Sequence, residues 1–188
     1  ESAMLPFLQQ KIGARKLLIY SDRSARHPMS AAELTNSTGK TLDGGPITVF
    51  EGGSYSGEAL SATLKNGDKR LISYAVDLGT RVTTNLESSS EGIRAIHFRR
   101  GLLATRLAHR DTQTYTAHNV DQKMKTLIIE HPIRREFTLL SPKPSETSAT
   151  GYRLEVKLAP GATEKFVVTE EREFETTHTI SNINSDLL

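Results

Sequence analysis

Alternation of apolar and polar residues is the dominant pattern along this chain. It is clearest over residues 152–158 (YRLEVKL), where four apolar side chains alternate with three charged ones. A period of two places the apolar side chains on one face of a strand and the charged ones on the other, as in an antiparallel sheet with one wet face. Strand-like runs recur between residues 17 and 174. The pattern predicts an all-β chain.

Glycine-rich turns separate the strand-like runs in the first half. Eight of the thirteen glycines fall between Gly39 and Gly79. Because glycine adopts the positive φ angles that tight turns need, this clustering indicates frequent chain reversals and therefore antiparallel pairing between near neighbours. The clearest turn is Asn66-Gly67-Asp68, which predicts a type I′ hairpin between strands at 58–64 and 69–78.

The polar stretch at residues 87–92 (ESSSEG) is the best candidate for a domain boundary. About six strands precede it and about seven follow, and an immunoglobulin-sized sandwich has about 100 residues. We therefore predict two antiparallel, immunoglobulin-like β-sandwich lobes in tandem, over residues 1–86 and 87–188. Residues 1–13 are expected to form a linker or a short helical turn. The chain starts without Met and stops in what resembles the start of another element, so we interpret it as a fragment of a longer protein.

Composition excludes several classes of function. The chain has no cysteine, which rules out disulfides, thiolate catalysis and cysteine-ligated zinc. Its net charge of +2 is smaller than nucleic-acid binders usually carry, so we expect no nucleic-acid partner. No apolar run approaches the roughly 18 residues of a membrane span. We expect no direct membrane span.

Motifs for catalysis are incomplete. Gly39-Lys40-Thr41 lacks the earlier glycine of a phosphate-binding loop, and residues 52–57 (GGSYSG) lack the glycine spacing of a nucleophile elbow. No two of the six histidines have metal-ligand spacing in sequence. We therefore assign no catalytic residue, no metal ligand and no cofactor. A hydrolase or metal-dependent enzyme remains as an alternative if the fold gathers carboxylates and at least two of His97, His109, His118 and His131.

Arginines concentrate in the predicted hairpin around Arg100-Gly101, where the only charged residues from 92 to 110 are Arg94, Arg99, Arg100, Arg106 and Arg110. Glutamates concentrate near the other end, at Glu164, Glu170, Glu171, Glu173 and Glu175. One interpretation is a basic patch of Arg99, Arg100, Arg106 and Arg110 that binds an anion. The preferred interpretation is charge pairing between the hairpin and the last strand of one sheet.

Several sequence segments resemble those of a known family. They are residues 36–50 (NSTGKTLDGGPITVF), 51–59 (EGGSYSGEA), 71–78 (LISYAVDL) and 128–132 (IIEHP). Together they are similar to uncharacterised bacterial domains near the C-terminal domain of mucoidy-inhibitor-type proteins. The resemblance spans most of residues 17–174. It implies a domain inside a large, commonly exported chain, located in the periplasm, in the cell envelope or outside the cell, and it transfers no catalytic residue.

These observations favour a non-enzymatic interaction or scaffolding module. Its expected partners are other domains of its own chain or a separate protein. A carbohydrate-binding module is a further alternative, but the chain has no tryptophan and its aromatic residues are predicted mostly at core-facing positions.

Overall fold

Twelve β-strands make up the regular structure of the residues that the structure describes. The computed structural model describes residues 9–100 and 102–179. The strands are β1 (Gly13–Tyr20), β2 (Met29–Thr35), β3 (Gly45–Glu51), β4 (Ser54–Ser61), β5 (Lys69–Val76), β6 (Thr80–Arg99), β7 (Leu102–Asn119), β8 (Lys125–Pro132), β9 (Thr138–Ser141), β10 (Glu146–Thr147), β11 (Gly151–Leu158) and β12 (Thr163–Thr179).

The prediction of an all-β fold is confirmed for the described residues, which contain no helix and therefore no helix that could span a membrane. One sheet has the strand order β10-β11-β8-β1-β2-β5, a second has β6-β7-β12-β9, and β3 pairs with β4 alone. Pairing is mostly antiparallel, and β1 with β8 is a parallel pair. The packing of these sheets as immunoglobulin-like sandwiches stays a prediction.

The chain divides into two compact units, each assembled from three segments. Unit 1 comprises residues Glu1–Val82, His118–Glu130 and Glu155–Thr163. Unit 2 comprises Thr83–Ala117, His131–Leu154 and Glu164–Leu188. The tandem domain division at residues 86 and 87 stays a prediction.

The polar residues 87–92, predicted as a domain boundary, lie within β6, which runs through them without a break. One local expectation was wrong. The turn at Asn66-Gly67 exists, with Gly67 at φ 84°, but it does not form a hairpin: β4 pairs with β3, and β5 pairs with β2. Residues 1–13 were predicted as a linker or a short helical turn. Residues 9–12 form no helix, and residues 1–8 lie outside the described residues.

Unit 1 is built on an apolar core. Leu17 on β1, Ala31 on β2 and Ile128 on β8 pack together, with Ile19 and Leu71 against them. Lys125 is a partly buried charge, and its three ammonium protons have three partners: Asp77 at 2.8 Å, Asp121 at 2.7 Å and Thr80 at 3.1 Å. The other buried apolar side chains of unit 1 are Leu18, Tyr20, Leu64, Ile72, Tyr74, Val82, Leu127, Ile129 and Leu158.

Unit 2 has a smaller apolar core and more buried polar groups. From Asp111 to Asn119 every second residue of β7 is buried, as a strand with one inward face requires. The buried apolar residues of unit 2 are Ala108, Tyr115, Ala117, Leu154 and Val168, and the buried polar ones are Thr105, Asp111, Gln113, His131 and Glu170.

Candidate functional site

The arginine-rich hairpin lies beside the glutamate-rich strand, as the preferred interpretation of the charge pattern requires. Strand β7 is the neighbour of both β6 and β12. Arg110 donates to Glu171 at 2.9 Å, and Arg94 donates to the same carboxylate at 3.2 Å. Arg106 lies 4.0 Å from Glu173. Charge pairing across the strands is therefore confirmed for Arg94, Arg106 and Arg110.

Arg99 and Arg100 are arranged differently, at the turn between β6 and β7. Neither has a carboxylate of the described residues within ion-pair distance. Arg100 holds φ at 49°, in the left-handed region that a tight turn uses. Both guanidinium groups border an open cavity of about 540 Å³, together with His97, Leu102, Ala104, Glu175 and Thr177. Two of the four arginines in the predicted patch, Arg106 and Arg110, are engaged in ion pairs. That the patch binds an anion stays a prediction.

We define the outer sheet as residues 93–99 of β6, 102–110 of β7 and 171–179 of β12. Large apolar side chains on it are exposed: Phe98 is 71% accessible and Ile93 is 56% accessible. Strand β6 is the end strand of its sheet, so along residues 93–99 its other edge has no strand partner among the described residues. The remaining exposed apolar residues of the outer sheet are Ile96, Leu102 and Phe174.

A second feature of unit 2 is a chain of buried charged groups, which we call the ionic network. Arg134 stands at its centre and donates to Glu170 at 2.9 Å and to Asp111 at 2.7 Å. Glu170 lies 3.2 Å from Nε2 of His131, although the ring nitrogen is poorly aligned for a hydrogen bond. Nδ1 of His131 lies 2.7 Å from the Tyr115 hydroxyl. Phe137 covers the guanidinium of Arg134, whose carbon is 3.6 Å from the ring centroid.

The ionic network keeps its carboxylates ionised. Burial by itself raises the pKa of Glu170, but contacts with His131 and Arg134 outweigh it, and the pKa lies below its ordinary value. The pKa of Asp111 also lies below its ordinary value. Burial raises this pKa, but hydrogen bonds from Ser88 and Arg134 lower it by more. Two cooperating carboxylates in turn hold the pKa of Arg134 above its usual range, against the opposing effect of burial.

Ser88, Asp111 and His109 lie together, but in the wrong order for nucleophilic catalysis. The hydroxyl of Ser88 donates to Oδ1 of Asp111 at 2.7 Å, and Nε2 of His109 lies 3.0 Å from the same oxygen. In a catalytic triad the imidazole lies between the serine and the carboxylate, because it must accept the serine proton. Here the carboxylate occupies the middle position, so Ser88 faces no imidazole, and the lowered pKa of Asp111 makes that carboxylate a weak base.

The four histidines of the enzyme alternative are only partly brought together. His109 and His131 belong to the ionic network, while His97 borders the cavity at the hairpin turn. His118 contacts Thr163 in unit 1. Within the described ranges, no group of three or more His, Asp or Glu side chains is arranged to hold a metal ion.

Not all aromatic residues face the core as expected. Phe50, Tyr55, Phe98 and Phe174 are exposed. Phe50 and Tyr55 form a ring pair on the β3–β4 hairpin, with centroids 6.2 Å apart and planes at 79°. Carbohydrate sites stack sugars on flat aromatic faces, and an edge-to-face pair offers no shared flat face. Exposed aromatic rings are therefore present, but this ring pair does not form the flat surface on which a sugar would stack.

Sequence reasoning did not find the ionic network, although part of its signal was present. Tyr115 and Ala117 face inward on β7, so a strict period of two also places Asp111 and Gln113 inward. The same period from the apolar Leu127 and Ile129 places His131 inward on β8. The same period from Val168 places Glu170 inward on β12. Arg134 has no comparable signal, because it lies in no strand.

Comparison of the chain with protein-family models, with curated proteins and with solved structures found no match. The class of protein that the fold defines is therefore an all-β chain of several mostly antiparallel sheets. The resemblance to mucoidy-inhibitor-type proteins stays an expectation from the sequence.

Proposed function

We propose that this chain is a non-enzymatic interaction or scaffolding module that docks a protein partner at the outer sheet. The proposal includes immunoglobulin-like β-sandwich packing and a place in a larger bacterial protein of the envelope or of the exported class. The location and the source rest on the family resemblance alone. The docking role rests on the outer sheet.

The observation that carries the proposal is the free edge of β6 beside exposed apolar side chains. An unpaired edge offers a row of backbone donors and acceptors to which an extended segment of another chain adds as a strand. Natural proteins usually protect such edges with short strands, prolines, charges or covering loops. Strand β6 has 20 residues and no proline, so its protection near the turn comes from the charges of Arg94, Arg99 and Arg100. Exposed Ile96 and Phe98 provide apolar contacts that an added strand would bury.

The ionic network supports this role because it fixes the strands that present the edge. Arg134 bonds to Asp111 on β7 and to Glu170 on β12 at once, so both strands are held to one guanidinium. Rigid presentation lowers the ordering cost of binding, which strengthens association without new contacts. On this account the buried charges position the surface and perform no chemistry.

Site-specific photo-crosslinking tests the proposal. A photoreactive phenylalanine analogue replaces Phe98 in the full protein in its native cells, and a matched chain carries it at Phe50. Both side chains are exposed phenylalanines, at 71% and 64%, but Phe50 lies on the β3–β4 hairpin of unit 1. We expect a discrete protein adduct from position 98, absent from position 50 and lost when Ile96→Lys places a charge on the edge.

No adduct at position 98, or equal adducts at both positions, would contradict the docking role. A separate result would favour the enzyme alternative: turnover of an ester, peptide or glycoside by the purified chain, abolished by Ser88→Ala or His109→Gln. Both side chains contact the Asp111 carboxylate, so their substitution should reduce the activity of a hydrolase at this site more than other changes.

A further inference from the structure

We infer that the strand docking on the β6 edge is the outer part of β12 from a second copy of this chain. The inference rests on the proposed function, because it names the occupant of the same edge. It follows from a second open edge, of opposite charge, on the other side of the outer sheet.

The second open edge is residues 172–179 of β12. Strand β9 covers β12 only where Ser141, Leu139 and Thr138 pair with Thr169, Glu170 and Glu171. Beyond Glu171, no strand among the described residues lies outside β12. The outer sheet therefore has three strands with β7 in the middle and an unpaired strand on each side.

The two edges carry complementary charge. Residues 92–100 of the β6 edge (GIRAIHFRR) contain three arginines and no acid, and Arg99 and Arg100 have no carboxylate partner among the described residues. Residues 172–179 of the β12 edge (REFETTHT) contain Glu173 and Glu175. Their single arginine, Arg172, already contacts Glu136 at 3.3 Å. Glu175 has no cation of the described residues within ion-pair distance.

Charge also selects the mode of association. A two-fold dimer through β6 would place arginines opposite arginines, and one through β12 would place glutamates opposite glutamates, both unfavourable across paired strands. Pairing β6 of one copy with β12 of the next places opposite charges together. This contact is head-to-tail, so copies add in series or close into a ring. It also buries Ile96 and Phe98 against Phe174, which are exposed in the single chain.

The direction of the new pair follows from the sheet order. Arg110 contacts Glu171 while Thr105, five residues earlier, contacts Thr176, so β12 runs opposite to β7. Strand β6 also runs opposite to β7, as the other arm of their hairpin. The two edge strands are thus parallel within one copy. A neighbour displaced sideways keeps that direction, and we expect parallel pairing.

Single-cysteine variants test the contact directly, because the natural chain has no cysteine. Ile96→Cys marks the β6 edge and Thr177→Cys marks the β12 edge, and a short bismaleimide tolerates a difference of one residue in register. We expect cross-linked dimers when the two purified variants are mixed and none from either variant alone. Dimers from Ile96→Cys alone, or no dimer from the mixture at concentrations where light scattering shows assembly, would overturn the inference.

Charge reversal gives a second, independent readout by sedimentation. With Ile96 level with Thr177, parallel pairing places Glu175 of one copy opposite Arg94 of the next. Arg94→Glu and Glu175→Arg each replace that attraction with a repulsion, so each should weaken self-association several-fold, up to about tenfold. Arg70→Glu is the matched control, since Arg70 is an exposed arginine on β5 in unit 1. Wild-type chain that stays monomeric at every concentration, or equal weakening by the control, would contradict the inference.

The photo-crosslinking adduct at position 98 separates this inference from the proposed function. An adduct with twice the mass of the chain supports both. An adduct with a different protein leaves the docking role standing and overturns the second-copy partner. Absence of any adduct, together with a monomeric chain, overturns both.

Discussion

The two units of the chain bury different kinds of side chain. Unit 1 surrounds Leu17, Ala31 and Ile128 with other apolar residues, so burial of apolar area is its main source of stability. Unit 2 buries Asp111, His131 and Glu170 and joins two of them through Arg134. Apolar burial is largely indifferent to pH and tolerant of local relaxation, whereas a buried charge that loses its partner is strongly unfavourable.

Both units leave large apolar side chains in water. Unit 1 exposes Leu60 and Leu78, at 82% and 71%. In unit 2, Ile93, Ile96 and Phe98 are exposed along one edge strand, where a partner could reach them together with the strand's backbone. The units therefore differ in what they bury and not in whether they expose apolar area.

The largest expected effect comes from removing the centre of the ionic network. Arg134→Met keeps much of the side-chain volume but leaves Glu170 and Asp111 without their shared cation. Breaking a fully buried pair costs about 3–5 kcal/mol of unfolding free energy. Asp111 and Glu170 are buried but the Arg134 side chain is 34% exposed, so we expect a loss at the lower end of that range. Denaturant unfolding at neutral pH measures it.

Arg106→Met is the matched control for that substitution. Arg106 lies 4.0 Å from Glu173, and both side chains are about half exposed, so the loss should be about 1 kcal/mol or less. Equal losses for Arg134→Met and Arg106→Met would remove the distinction between the two kinds of ion pair.

An apolar truncation in unit 1 is expected to have the next largest effect. Leu127 is fully buried on β8, and Leu127→Ala should cost about 3 kcal/mol through lost burial and the cavity left behind. Because no ionisable group is removed, the loss should be the same at pH 7 and pH 5. A loss that depends on pH would show that the core of unit 1 is coupled to charged groups.

The pH dependence of stability should follow the ionic network. Glu170 and Asp111 have lowered pKa values in the folded chain, so their contribution is complete above their unfolded pKa values of about 4 and is lost as pH falls through the folded values. Urea unfolding from pH 7 down to pH 3 should show falling stability below about pH 5. Glu170→Gln should show a shallower decline, and an unchanged slope would contradict this assignment.

The smallest expected effect concerns the outer sheet. Arg110→Ala removes the contact with Glu171 at 2.9 Å, but Arg94 still reaches that carboxylate. The loss should be about 1 kcal/mol or less at low salt and should shrink at high salt. Thermal unfolding of the variant in low and high salt measures it, and a large loss independent of salt would place this pair with the ionic network.

The sequence predicted local features of the fold better than strand partners. Asn66-Gly67 marks a true turn, yet β4 and β5 pair with other strands, because a turn signal does not specify which distant edge completes a sheet. Residues 87–92 were predicted as a domain boundary because they are polar. They lie in β6, an edge strand whose residues 87–90 and 92 are exposed, and no apolar alternation is required there.

The candidate site was predictable in part. Complementary charges at Arg110 and Glu171 indicated neighbouring strands, and the structure pairs them. The ionic network depends on Arg134 reaching residues 23 positions before it and 36 positions after it, which spacing in the sequence does not reveal.

Amide hydrogen exchange measured by NMR on the dilute, monomeric chain tests most directly whether β6 presents an open edge. Leu18 and Ile19 of β1 pair with β2 on one side and with β8 on the other, so both amides should exchange slowly. Along residues 93–99 we predict alternation, with slow exchange where an amide faces β7 and fast exchange where it faces water. Uniformly slow exchange along that stretch would mean that the edge is already covered within one chain, and the docking account would be wrong.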